Sequence, residues 1–260
     1  MFIDSEDIKR VIPEVIKIRR HIHMYPEISE HEYETSKYIK KCLEEIGLEA
    51  NFIGDTGVVS MLMNNPEFQT VGLRAEMDAL PIEEETNLEF KSKNKGVMHA
   101  CSHDGIVATA LGVTKLLYEH KDELKCNVKF IFEPAEEVGR GAKKFIKEKV
   151  LENPTVDKMV IFHYANSAPI GMEIQKGVST ATLGRVSIEI IGKSSHWGEP
   201  EKGINAISVA AKVIDAIDKI NEDLKEKIQF VLGMGIINGG VKNNIMAENV
   251  KLEGTIRTFC

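Results

Sequence analysis

The chain has 260 residues, 43% of them hydrophobic, and a formal net charge of -7. That size supports one large domain or two smaller ones, and the acidic balance offers no basic field for nucleic acid or anionic lipid, so neither is expected as a partner. No apolar run reaches the roughly 18 residues of a membrane span, the N-terminus carries acids where a secretory leader is basic, and Cys42, Cys101, Cys126 and Cys260 lack paired spacing, so we expect reduced thiols and a cytoplasmic location.

Apolar residues recur at helical spacing over 8–24 and 33–46. The second helix is expected to close at Gly47, and Pro13 to kink or delay the first. Short apolar runs at 58–63, 71–75, 128–132 and 159–162 read as strands, separated by helices near 107–118 and 141–149. This alternation predicts an α/β fold, a sheet covered by helices on both faces. Ligands of such sheets collect at strand carboxyl ends, where Asp78, Glu136, Glu137 and His163 would fall. From residue 185 the texture becomes strand 186–191, helix 204–220, then strands 228–232 and 250–258, a second and smaller α+β two-layer unit. We draw the units at 1–180 and 181–260.

Three polar clusters stand beside predicted strand ends: Cys101-Ser102-His103-Asp104, Glu136-Glu137 and His163. Thiolate, imidazole and carboxylate are the donors a borderline-soft divalent ion selects. Alone, Cys101 reads better as a small buried hydrophobe and His103 as a residue of a helix's first turn. Together, the clusters read as a metal site. Glu136-Glu137 follows a strand and Pro134 and precedes Gly139 and Gly141, a tight loop in which Glu137 can bind metal and Glu136 stay free as a base. Glu83 to Glu85, by contrast, reads as solvated surface. A cysteine nucleophile would need a base and an oxyanion hole, and His103, two residues from Cys101, shares a metal with it more readily than it serves it as base.

The stretches RRHIHMYPEISEHE, GLRAEMDALPIEEET, MHACSHDG, EPAEEVGRGA, IFHYANSAPIG, GKSSHWGEP and KLEGTIRTF resemble, in order and over essentially the whole chain, the M20 amidohydrolases acting on N-acyl amino acids, the hippurate-hydrolase branch. The resemblance implies a zinc-peptidase-like catalytic domain, a mixed sheet flanked by helices, with a smaller lid. It implies Cys101, His103, Glu137 and His163 as ligands of a divalent centre, commonly two ions, with zinc or manganese foremost and nickel or cobalt tolerated. Glu136 would be the general base and Asp78 the carboxylate that orients a ligating histidine. His196 and Asn244 would lie on the lid, where similar proteins bring a histidine and an asparagine to the scissile carbonyl; apart from the resemblance they read as a loop residue and a turn former. His21 and His23 read as structural or peripheral.

The expected reaction is hydrolysis of the amide bond of N-acyl amino acids or short peptides by metal-activated water. A non-catalytic metal- or ligand-binding protein and a dipeptidase or aminopeptidase of the same superfamily are the alternatives. A homodimer through the lid is a further implication. The chain departs from the family pattern at Ser102, usually Gly, at Ile106, usually His, at Glu76, usually Asp, and over 196–201. Similar proteins also complete the lid and add a last histidine ligand near the C-terminus, which none of the eight histidines, all at or before His196, can be. The resemblance therefore implies a lid incomplete at the C-terminus and either a fragment or a shortened chain.

Overall fold

The computed structural model describes residues 3–165, 170–174, 176–178 and 180–259, which fall into two compact units, Met1–Ala168 and Pro169–Cys260. Among the described residues no helix is long and apolar enough to cross a membrane. Cys260 and part of the IFHYANSAPIG stretch lie outside them.

In the first unit, α1 (Ser5–Met24) begins earlier than Pro13 suggested. Asp4 caps it, accepting from the Glu6 and Asp7 amides at 2.8 and 3.0 Å, and these bonds start the helix two turns ahead of the proline. α2 (Tyr33–Ile46) ends at Gly47, whose φ of 104° and contact with Tyr118 leave no room for a Cβ. The strands β1 (Ala50–Ile53), β2 (Gly57–Leu62), β3 (Thr70–Glu76), β4 (Asn127–Glu133) and β5 (Lys158–Ile161) form a mixed sheet in the order β1-β2-β4-β3-β5. β3 runs parallel to β4 and β5, while β1, β2 and β4 pair antiparallel.

The long helix α3 (His103–Glu119) buries eleven of its residues. With α1 and α2 it covers one sheet face, where Val58, Phe130 and Phe132 meet Ile39, Leu43 and Leu111. The strand period sends Val59 and Ile131 to the opposite face, where α4 (Gly141–Lys147) contributes Phe145 to a smaller core. The expected cover on both faces is therefore uneven, and all four residues of β5 are exposed.

The second unit is a three-stranded antiparallel sheet of β6 (Thr182–Ile191), β7 (Phe230–Gly239) and β8 (Asn249–Thr258), ordered β6-β8-β7. Helix α5 (Ala206–Leu224) packs on it through Ala206 and Ala210 against Ile190, Val250 and Leu252. Asn221 fastens the helix to β7, exchanging hydrogen bonds with the Leu232 backbone at 2.6 and 2.9 Å.

Candidate metal centre

β3, β4 and β5 are parallel, so the segments leaving them emerge at one edge of the sheet. Asp78 stands two residues beyond β3, Glu136 and Glu137 three and four beyond β4, and His163 two beyond β5. Cys101 and His103 arrive at the start of α3. The structure brings Cys101, His103 and His163 together, and His103 with Glu136 and Glu137, each set offering ligand atoms within 4.8 Å of one another.

His103 is fully buried. Its Nδ1 lies 2.8 Å from the Asp78 carbonyl and 3.4 Å from Asp78 Oδ1. Both neighbours only accept, so Nδ1 carries a hydrogen, and in the neutral ring Nε2 is a bare lone pair. That lone pair faces Glu136 Oε2 and Glu137 Oε1, each 3.9 Å away. His103 Nε2 and Glu137 Oε1 have no hydrogen-bond partner. With the ring neutral, two acceptors facing each other in a buried space call for a positive charge between them, a proton on the ring or a metal ion. His163 follows the same logic: Nδ1 lies 2.8 Å from the Tyr164 carbonyl, leaving Nε2 toward Cys101 Sγ at 3.5 Å. The donor set and its unpaired atoms thus fit a divalent ion.

Asp78 is 1% exposed. Burial works to raise its carboxyl, yet hydrogen bonds from His103, Ser29 Oγ (2.7 Å) and the Glu137 amide (3.0 Å) outweigh it and hold the group below the usual carboxylate range. Burial likewise works to lower His103, and Asp78 reverses it, leaving the imidazole raised. Burial raises Glu136, reinforced by Glu137 and Glu76 and opposed by His103 and Arg74. The Cys101 thiol is pushed up to about 12, first by burial and then by Glu137.

The Glu136-Glu137 loop turns at Ala135, whose φ is 56°. Gly141 closes it where a Cβ would sit 1.8 Å from the Pro134 carbonyl oxygen. Ser102, in the position where glycine was expected, holds φ at 64°. Ile106 is fully buried, and Glu76, also buried, is bound by Arg74. In the second unit His196 and Asn244 pair with each other, Asn244 Nδ2 lying 3.3 Å from His196 Nε2. The Gly198 amide donates to His196 Nδ1 at 3.0 Å, which assigns the neutral ring's hydrogen to Nε2 and turns the Asn244 amide oxygen toward it.

One expectation is corrected. Glu84 is not solvated: it is buried, accepts from the Ser92 amide at 2.7 Å and pairs with His23 at 3.3 Å. His23 also meets Asp104 at 2.9 Å, so it is structural, as expected, beneath the first turn of α3. The supporting roles of Ser29 and Glu32 were not foreseen, although both lie in the segment RRHIHMYPEISEHE that carried part of the resemblance.

A mixed α/β unit whose parallel strand ends converge metal-type ligands defines the class; comparison with known proteins gives the family. A profile described as peptidase family M20/M25/M40 matches residues 72–252. An N-acetyl-L-cysteine deacetylase of Bacillus subtilis is 39% identical over 95% of this chain and 59% of its own length. A thermostable carboxypeptidase of Saccharolobus solfataricus is 40% identical over 98% of this chain and 66% of its own. Among solved structures, a dinuclear metal-binding M20 peptidase of Bacillus subtilis superposes with a TM-score of 0.81 at 34% identity, over 97% of this chain and 65% of that one. The chain belongs to peptidase family M20/M25/M40. It spans between 59% and 66% of the length of these two curated relatives.

Proposed function

We propose that this chain carries the metal-binding part of an amidohydrolase that cleaves the amide bond of N-acyl amino acids or short peptides. The observation that carries the reading is the convergence of bare lone pairs from His103 and His163 with Glu137 and Cys101, beside a Glu136 carboxyl raised by burial. Cys101, His103, Glu137 and His163 would hold the divalent metal, two ions being favoured by the likeness to a dinuclear relative, with zinc or manganese as the expected metal. When bound, such an ion polarises the scissile carbonyl and makes water acidic enough to attack it.

Glu136 takes the proton of the attacking water and returns it to the departing amine. Its side chain is 39% exposed, enough to reach substrate, while His103 beneath it is wholly covered. Asp78 orients His103 and fixes its tautomer. In the reaction His196 exchanges its Asn244 partner for the developing oxyanion, donating to it from Nε2, and the Asn244 amide so released holds the substrate beside it. The deacetylase and the carboxypeptidase among the relatives act, by their names, on amides next to a free carboxylate, a feature that N-acyl amino acids and short peptides share. The described cysteines are free, in keeping with the cytoplasmic location we assign. A homodimer through the edges of the second unit's sheet completes the proposal.

The test is Glu136→Gln assayed on N-acetyl and N-benzoyl amino acids with Zn²⁺ or Mn²⁺. Turnover is expected to fall by roughly 10²- to 10⁴-fold with metal content unchanged. A variant that keeps full activity contradicts the role, and a wild-type protein that binds metal without any turnover favours a binding protein.

A further inference from the structure

We propose that Glu32 is a positioning residue for the Glu136-Glu137 loop: its buried carboxylate clamps the Ala135 backbone and so sets where the next two carboxylates point. The inference rests on the reading of Glu137 as a metal ligand. Glu32 is fully buried just before α2 and lies outside the ligand set. Its Oε1 accepts the Ala135 amide hydrogen at 2.7 Å, across 103 positions of sequence.

Burying a carboxylate costs free energy that core packing alone does not return, so the group is expected to hold something. What it holds is strained. Ala135 has φ of 56°, a left-handed conformation that costs an alanine about 1 kcal/mol or more and persists only where neighbours over-determine it. Burial raises the Glu32 carboxyl, so what the Ala135 amide needs from it is an acceptor oxygen at the right reach rather than a negative charge. The same loop is held at two further points. The Arg140 amide donates to the Ala135 carbonyl at 3.1 Å, and the Glu137 amide donates to Asp78 Oδ2 at 3.0 Å.

Glu32 is itself fixed. The Ser36 amide donates to its carbonyl at 2.9 Å, and Ser36 Oγ bridges that carbonyl to the Thr56 carbonyl. The start of α2 is thereby tied to the loop after β4. If the turn at Ala135 relaxes, Glu136 and Glu137 move together, and both lose their common 3.9 Å distance to His103 Nε2.

Glu32→Gln keeps an acceptor oxygen at the same reach, Glu32→Asp keeps the carboxyl group but draws the oxygen back by one methylene, and Glu32→Ala removes both. The probes are Co²⁺ affinity and the hydrogen-exchange rate of the Ala135 amide, read in the same samples without any assay of turnover. Glu32→Gln is expected to match wild type. Glu32→Asp and Glu32→Ala should lose about tenfold in Co²⁺ affinity and exchange the Ala135 amide faster, while the amides of α3 stay protected. Wild-type affinity and slow Ala135 exchange in the Asp variant would overturn the proposal, as would a Gln variant as weak as the Ala one. Should Glu32→Ala fail to fold, the Gln and Asp pair decides. Wild-type protein that takes up no Co²⁺ contradicts the metal reading instead, and the Ala135 exchange rates then decide the clamp alone.

Discussion

The ligand cluster of the first unit and the His196–Asn244 pair of the second are built in opposite ways. His103 and Asp78 are 0% and 1% exposed, and each is held by groups from distant parts of the chain, among them Ser29 and the Glu137 amide. His196 and Asn244 are exposed and bond to each other and to neighbouring backbone. The difference follows from what each must do. Groups whose lone pairs face one another need a rigid, covered frame to stay converged without a cation, whereas a donor that meets substrate needs access and one fixed tautomer.

Substitutions in the two regions should therefore separate cleanly. His196→Ala is expected to lower kcat by roughly 10²- to 10³-fold, leaving metal stoichiometry and Tm unchanged, because the side chain supports no core; steady-state kinetics beside elemental analysis checks this. A loss of bound metal in that variant would break the contrast. Asp78→Asn should act on the other side, weakening metal affinity by about tenfold, the low end of the usual range for such partners. The effect stays modest because the Asp78 backbone carbonyl still accepts from His103 Nδ1. Competition with a chelator measures it.

The smallest effect tests the frame itself. Ser102 occupies the left-handed region with no side-chain cap hydrogen bond, so Ser102→Gly should stabilise the protein by about 1 kcal/mol, read as a higher denaturant midpoint. A decrease would mean that the hydroxyl contributes more than the backbone strain costs.

The same contrast explains what the sequence disclosed. The continuous apolar runs of β3 and β4 and the strand-terminal clusters after them were legible because burial and chemistry both mark them. β1 went unseen: it is a four-residue edge strand with exposed Asn51 and Phe52. Glu84 was misread because a charge run ordinarily lies in water, and only the fold brings His23 to it across 61 positions. Ser29 and Glu32 act through bonds spanning 49 and 103 positions, separations that no local pattern encodes. His196 and Asn244 were visible only through resemblance, since an exposed histidine in a loop has no periodicity to betray it.

The central claim is that the cluster holds a divalent metal, and a Zn²⁺ titration by calorimetry at several pH values tests it most directly. The metal-free Cys101 thiol, pushed up to about 12, is protonated at neutral pH, so an ion that takes the thiolate must displace its proton. The account predicts stoichiometric uptake with proton release, an affinity that rises about tenfold per pH unit near neutrality and weakens as pH falls, and a shallower dependence in Cys101→Ser, where only the raised His103 imidazole still competes with the ion. No uptake, or uptake indifferent to both pH and Cys101, would contradict it.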